Sequence, residues 1–122
     1  MASVQITQSN YAQYFGEGVE GITLLDFWAE WCGPCKRFGP IFEKTSEKYD
    51  DVVFGKINTE EEQGLAMQFG ITSIPTLVAF RDGVLVFQQP GAIDGASLER
   101  LIEQIKELDM DEVRKKIEEQ SA

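Results

Sequence analysis

The chain contains no histidine among its 122 residues, and it has only two cysteines. Without an imidazole, the serine–histidine and cysteine–histidine forms of nucleophilic catalysis are excluded. A zinc site built from four cysteine or histidine ligands would lack at least two of them. Any chemistry of this chain must therefore use the two thiols, the carboxylates or the amines.

Basic residues are also scarce, since 11 lysines and arginines stand against 21 acidic residues and give a net charge of −10. Nucleic acid needs a basic face, so we expect no nucleic-acid partner. An acid excess of this size mainly favours solubility and identifies no partner. The hydrophobic share of 43% excludes a disordered acidic tail, and the length suits one domain.

Long apolar runs are missing too. The longest, from Ile22 to Ala29, is broken by Asp26, so we expect no membrane-spanning segment. The first basic residue is Lys36, which leaves no positively charged start for a signal peptide. We therefore expect a cytoplasmic location, where reducing conditions argue against a permanent structural disulfide.

Strand and helix patterns alternate along the chain in the order β-α-β-α-β-α-β-β-α. This order predicts an α/β fold with a mainly parallel sheet covered on both faces, and Asp82-Gly83 predicts a hairpin that adds an antiparallel edge. The predicted strands are residues 3–7, 22–28, 52–57, 76–80 and 84–88. The predicted helices cover residues 10–15 behind a Ser9 cap, 34–49, a short segment behind a Thr59–Glu62 capping box, and a long segment capped by Asp94.

The last residues form a separate feature. We predict one domain over residues 1–108 and a helical extension over 109–122. Met110, Val113 and Ile117 are spaced as one helical face, and Asp109 with Glu112 can cap its first turn. A surface-lying helix and a partner-binding helix both remain open for this segment.

The chemistry is expected at Cys32 and Cys35, which follow a predicted buried strand and open a helix. A separation of three residues lets the two thiols meet across one helical turn. The helix N-terminus favours negative charge, so Cys32 should ionise readily, whereas Cys35 lies one turn further in and should be more shielded. We therefore expect Cys32 to attack and Cys35 to resolve.

Three roles without redox chemistry also remain open for the cysteine pair. A structural disulfide that closes so small a loop gains only about 2 kcal/mol, which is a weak reason for placing one here. Half of a zinc site could be completed by carboxylates or by another chain. Two inert buried thiols are the third possibility, although Gly33-Pro34 is unusual in a packed core.

The segment around the cysteines resembles the active site of the thioredoxin family. The similarity extends over about residues 3 to 108. The matching residues are the contiguous stretch Phe27-Trp28-Ala29-Glu30-Trp31-Cys32-Gly33-Pro34-Cys35-Lys36, with Asp26, Pro40, Lys56, Ile74-Pro75-Thr76 and Gly91 at fitting distances. The resemblance implies a thioredoxin fold, with a mixed sheet of four to five strands flanked by four helices. It also implies a protein-disulfide reductase and dithiol electron carrier.

The resemblance further implies roles for the residues near the thiols. Asp26 would accept a proton from Cys35, and Lys56 would bias the titration of Asp26. A carboxyl group in apolar surroundings has a raised pKa, which suits proton transfer near neutrality. Taken alone, Asp26 could also be an acid at a strand end, and Lys56 an ordinary strand-edge lysine.

A substrate surface is implied in the same way. The resemblance predicts a cis Ile74-Pro75 bond facing the cysteines, with the backbone at Ile74 free to pair with an extended substrate. It places Gly91 and Ala92 on the rim of the groove. Trp31 would contact partners, while Trp28, Gly33 and Pro34 would support the site. Ser73 beside the Ile-Pro pair is a further candidate for tuning substrate preference.

The implied partners are disulfide-containing substrate proteins and a thioredoxin reductase that delivers electrons from NADPH. We expect no metal and no bound cofactor other than the redox-active disulfide, and we expect a monomer. An oxidase or isomerase of the same fold, and a non-enzymatic subunit, are the alternatives. The Gly33-Pro34 pair resembles the reducing members of the family.

Overall fold

A computed structural model describes residues 3–121 of the chain. The ends of the predicted domain ranges, at residues 1, 2 and 122, therefore lie outside the described residues. The strands are β1 (Ser3–Gln5), β2 (Ile22–Trp28), β3 (Val52–Asn58), β4 (Thr76–Arg81) and β5 (Val84–Pro90). The helices are α1 (Gly33–Ser46), α2 (Gln63–Gln68), α3 (Gly95–Lys106) and α4 (Met110–Ser121), and a short 3-10 helix covers Tyr11–Gln13. No helix in this part of the chain has the length and apolarity to cross a membrane.

The five strands form one mixed sheet in the order β1-β3-β2-β4-β5. Strand β3 pairs in parallel with both β1 and β2, whereas β4 runs antiparallel to β2, and β5 antiparallel to β4. The central strand β2 is buried along almost its whole length, as its continuous apolar run predicts.

The sheet separates two apolar cores. On one face, Leu24 and Phe54 pack beneath α1 and α3, which contribute Phe38, Phe42 and Ile102. On the other face, a second core lies under α2 and the 3-10 helix; it includes Ile6, Phe15, Leu25, Phe27, Ile57, Leu65, Val78 and Phe80. Because side chains alternate along a strand, Asp26 lies on the same face of β2 as Leu24, which is the face covered by α1.

The direction of β4 corrects the mainly parallel sheet that the element order predicts. Helix α2 has only six residues and spans about 9 Å, whereas β3 has seven residues and spans about 23 Å. A helix this short does not return the chain to the start of the sheet. Strand β4 therefore begins where β2 ends, with Thr76 opposite Phe27. This brings Pro75 to the edge of the sheet that carries the cysteines.

Two predicted helix starts are wrong. The first helix is reduced to one 3-10 turn over Tyr11–Gln13, because the Asn10 side chain accepts a hydrogen bond from the backbone of Thr7 and holds a turn there. Neither member of the predicted capping box caps α2. The Thr59 hydroxyl donates to the carbonyl of Trp28, and the Glu62 carboxylate accepts from the backbone of Gln8.

Other local signals are confirmed. The Asp94 side chain accepts from the backbone N–H of Ser97 at the start of α3. Asp82 and Gly83 both have positive φ angles at the hairpin between β4 and β5. The Asp109 carboxylate accepts from the backbone N–H groups of Asp111 and Glu112, which caps α4.

Candidate active site

A disulfide joins Cys32 and Cys35 at the N-terminus of α1, where the two Cα atoms are 5.2 Å apart. Cys32 is the N-cap residue, and its sulfur accepts a hydrogen bond of 3.2 Å from the backbone N–H of Cys35. Pro34 occupies the first turn, where its missing N–H leaves no helical hydrogen bond unmade. The local structure thus directs the positive end of the helix at the Cys32 sulfur.

The expected difference in shielding between the two cysteines is wrong. Each is only 4% exposed, because both pack with Ala29 and are partly covered by Trp28 and Ile74. The sulfurs differ instead in their surroundings. Cys32 Sγ lies 3.7 Å from the carbonyl oxygen of Ile74, whereas Cys35 lines a cavity on the other side, towards β3.

The loop before β4 faces the disulfide. The Ile74-Pro75 bond is cis, as the resemblance predicts. The carbonyl of Pro75 accepts a hydrogen bond of 2.8 Å from the backbone N–H of Gly91, whose φ of 104° favours glycine. Ile74 therefore lies against Cys32, Pro75 next to it is hydrogen-bonded to Gly91, and the exposed Ala92 follows Gly91 in the chain.

Asp26 is completely buried, and neither of its carboxylate oxygens has a hydrogen-bond partner among the described residues. Burial raises the pKa of Asp26 to about 7, and the positive charge of Lys56 opposes that rise. Asp26 is paired with Lys56 in the register of β2 and β3, so both side chains lie on the face covered by α1. The first turn of that helix holds Cys35.

Lys56 is half-buried, and its ammonium lies 5.0 Å from the centre of the Trp28 ring. It lines the same cavity of about 410 Å³ as Cys35. The other lining residues include Trp28, Lys36, Gly39 and Glu43. The cavity therefore brings a cation, the carboxyl group of Glu43 and Cys35 into one partly enclosed space.

Trp31 stands on the outer side of the site with 70% of its surface exposed. It borders a second cavity of about 320 Å³, which Thr59, Ala66, Ile71, Thr72, Ser73 and Ile74 also line. Gly33 and Pro34 are exposed beside it. Of the lining residues, Thr59, Ala66, Ile71 and Thr72 were missed by sequence reasoning, because they come from three separate segments with no shared spacing.

The described residues contain no group of three or more cysteine, aspartate or glutamate side chains that could hold a metal ion. The charged groups near the cysteines are Asp26 on β2, Lys56 on β3, Glu30 before α1, and Lys36 and Glu43 on α1. The site contains a cysteine pair joined by a disulfide, and the buried Asp26 lies on the face of β2 that α1 covers.

Comparisons with known proteins agree with this geometry. The sequence model of the family described as Thioredoxin matches residues 2–107. A Streptomyces coelicolor protein named "Putative thioredoxin 2" is 51% identical over 121 residues, which cover 99% of this chain and 89% of that protein. The thioredoxin of Chlamydia caviae is 45% identical over 84 residues, which cover 69% of this chain and 82% of that protein. The crystal structure of Malassezia sympodialis thioredoxin is similar with a TM-score of 0.73 and 37% identity, covering 85% of this chain and 91% of that one.

Proposed function

Since this chain belongs to the thioredoxin family and is a dithiol carrier that exchanges its cysteine pair with protein disulfides, we propose a division of labour among its residues. Cys32 attacks the substrate disulfide, Cys35 resolves the intermediate, and Asp26 accepts the proton of Cys35. The groove around Ile74, Pro75, Gly91 and Ala92 holds the substrate.

In the first step, the Cys32 thiolate attacks one sulfur of the substrate disulfide. A mixed disulfide forms between Cys32 and that sulfur, the substrate disulfide bond breaks, and the second substrate sulfur leaves as a thiolate that takes a proton from water. The hydrogen bond from the backbone N–H of Cys35 supports the negative charge on Cys32 before the attack. An extended substrate can pair with the backbone at Ile74.

In the second step, Cys35 loses its proton to the Asp26 carboxylate and attacks Cys32 Sγ. The Cys32–Cys35 disulfide forms, the mixed disulfide breaks, and the released substrate sulfur takes up a proton. Two electrons have then passed from the protein dithiol to the substrate. The raised pKa of Asp26, about 7, makes its carboxyl group a suitable proton acceptor near neutral pH.

The remaining parts of the proposal concern the setting of the reaction. A thioredoxin reductase would restore the dithiol with electrons from NADPH. This chain would be located in the cytoplasm. Trp31 supports contact with partner proteins because it is largely exposed beside the disulfide. Lys56, Trp28, Gly33 and Pro34 would support the site without joining the reaction, and the chain would act as a monomer. Residues 109–122 would form an extension outside the redox domain.

The observation that carries this proposal is the position of Cys32. As the N-cap of a 14-residue helix, it accepts the Cys35 N–H and also lies against the loop that contains the cis proline. Helix dipole, backbone donor and substrate loop therefore meet at one sulfur, which is the arrangement that an attacking thiolate requires.

Replacement of Cys35 by serine tests the division of labour. Reduced Cys35→Ser protein mixed with a disulfide-containing protein should accumulate a mixed disulfide through Cys32, visible by mass spectrometry, because the resolving thiol is gone. The matched Cys32→Ser variant should trap nothing. If Cys35→Ser protein turns over at the wild-type rate, or if Cys32→Ser protein traps substrate instead, the assignment of the two roles is wrong.

A further inference from the structure

Three charged side chains at or beneath α1 have atoms without a hydrogen-bond or ion-pair partner among residues 3–121, and two of them, Glu43 and Lys56, line the cavity beside Cys35. Both oxygens of Asp26 and Oε2 of Glu43 are buried without a hydrogen bond. The ammonium of Lys56 forms no ion pair within 4.0 Å, although opposite charges lie on two sides of it. Buried carboxylate oxygens without a partner are rare and call for an explanation. Glu43 has no part in the proposed redox steps.

The position of the Lys56 ammonium shows which elements it can reach. Nζ lies over the ring of Trp28 and also against α1, where a Cβ atom added to Gly39 would stand 3.5 Å from it. The Lys56 side chain therefore extends from β3 across the cavity to the surface of the helix. It does not form an ion pair with Asp26, the residue opposite it on β2.

Glu43 lies on the same face of α1 as Gly39, one turn further along, because residues four apart are neighbours on a helix. Both line the cavity that Lys56 enters. The Glu43 carboxylate thus lies on the helix side of Lys56 and Asp26 on the sheet side, and neither is within 4.0 Å of the Lys56 ammonium. A flexible lysine side chain between two carboxylates can satisfy only one of them closely at a time.

We propose that Glu43 is a positioning residue that holds the Lys56 ammonium towards α1 and away from Asp26. Lys56 is the one charge found to oppose the rise in the pKa of Asp26, so its distance controls how readily Asp26 takes up a proton. With Glu43 in place, Asp26 keeps the high proton affinity that the resolving step uses. This inference rests on the proposed role of Asp26.

Other charged groups also face Lys56 and must be distinguished from Glu43. Lys36 on α1 and Glu30 before it line the same cavity, and Glu61 after β3 lines a neighbouring one together with Lys56. All three of these residues are exposed, so water screens their charges. Glu43 differs because one of its oxygens is buried and unpaired.

The test is the titration of Asp26 in the oxidised protein, followed through the NMR signal of its carboxyl carbon. Replacement of Glu43 by glutamine should lower the midpoint by roughly half a unit to one unit, because Lys56 is then free to approach Asp26. Glu43→Met, which keeps the side-chain length without polar atoms, should do the same. Glu47→Gln removes one charge from an exposed position on the next turn and should leave the midpoint unchanged.

A double-mutant cycle shows whether the effect passes through Lys56. Lys56→Met alone should raise the midpoint, and adding Glu43→Gln to it should cause no further shift. An unchanged midpoint in both Glu43 variants would overturn the proposal, and so would an equal shift with and without Lys56. Because the titration needs no turnover, such a failure would leave the proton transfer by Asp26 standing. A pH profile of turnover that is unaffected by Asp26→Asn would remove that role separately.

Discussion

A carboxyl group that is buried without a hydrogen bond destabilises a fold once it is ionised, and Asp26 is such a group. Its pKa is about 7 in the folded chain, against an ordinary value of 3.8. Between these two values the folded state binds more protons than the unfolded state. Stability therefore falls as the pH rises from about 4 to about 7, and the loss is complete above that range.

Replacement of Asp26 by asparagine should remove this loss. The free energy of unfolding of the oxidised protein should rise by about 2 to 4 kcal/mol at pH 8, since three pKa units correspond to roughly 4 kcal/mol. Below pH 4 the variant and the wild type should be nearly equal, because Asp26 is protonated in both states. Guanidinium unfolding at pH 4 and pH 8 measures both values.

The exposed Asp50 provides the control for this experiment. Asp50→Asn removes one negative charge without changing a buried group, so its small effect should be similar at both pH values. If Asp26→Asn gives the same increment at pH 4 and pH 8, Asp26 does not titrate near neutrality in the folded protein, and its part in the resolving step loses its basis.

Single side chains differ in how visible they are in the sequence. Asp26 could be predicted because it interrupts an apolar run, and its burial follows from that run. The cysteine pair could be predicted because its spacing fits one helical turn. The position of Glu43 at this site could not be predicted, since a glutamate in an amphipathic helix normally faces water. Only the folded structure shows that one oxygen of Glu43 is buried and that Glu43 lines the cavity that Lys56 enters.

Helices and strands position the site through their lengths. Because α2 is short, β4 runs antiparallel to β2. This orientation places the loop with the cis proline beside Cys32. The number of strands, their limits to within two residues, and the caps at Asp94 and Asp109 could be read from the sequence. The direction of β4 could not, because hydrophobic periodicity gives no orientation to a strand.

Arg81 at the end of β4 links the last two helices to the sheet. Its Nη1 atom donates to the carbonyl oxygens of Ile105, Lys106 and Leu108, at 2.6, 3.1 and 3.1 Å. The guanidinium thereby binds carbonyl oxygens at and just beyond the C-terminal end of α3, where the partial negative charge of a helix favours a cation. Helix α4 begins two residues after Leu108, and its one buried side chain among those described is Met110.

Truncation after Leu108 should therefore leave the fold intact and lower the free energy of unfolding by about 2 kcal/mol, the contribution of one buried apolar side chain. The reduction rate of a protein disulfide should stay at the full-length value, because none of the described side chains of α4 lines either cavity beside the disulfide. Thermal or denaturant unfolding and a turnover assay measure the two effects.

The substitution Met110→Ala in the full-length chain is the matched control, and it should reproduce most of the stability loss. A much larger loss on truncation than on substitution would mean that α4 stabilises the chain through additional contacts. A slower reaction with protein disulfides, at unchanged reaction with small disulfides, would instead assign α4 a role in partner binding.

The whole molecule combines an apolar reaction surface with a strongly acidic remainder. Trp31 and Met67 are the most exposed large apolar side chains among the described residues, at 70% and 81%, and Trp31 stands beside the disulfide. The net charge is −10. We therefore expect short-range recognition near Trp31 to be apolar, whereas the long-range field of the protein acts on every charged molecule that approaches the cysteines.

This field should be measurable with two small disulfides of opposite charge. At an ionic strength of about 0.01 M the Debye length is roughly 30 Å, so the charge of the protein acts over a long distance. Under this condition the doubly cationic cystamine should react with the reduced protein about tenfold faster than the doubly anionic dithiodipropionate. Each rate is first divided by the rate of the same disulfide with a neutral thiol. At about 1 M the Debye length is only about 3 Å, and this ratio should approach one. Stopped-flow tryptophan fluorescence follows both reactions, and the uncharged hydroxyethyl disulfide should show little dependence on salt. A rate ratio that stays near one even at low salt would contradict the prediction and would mean that the net charge of the molecule does not act at the cysteines.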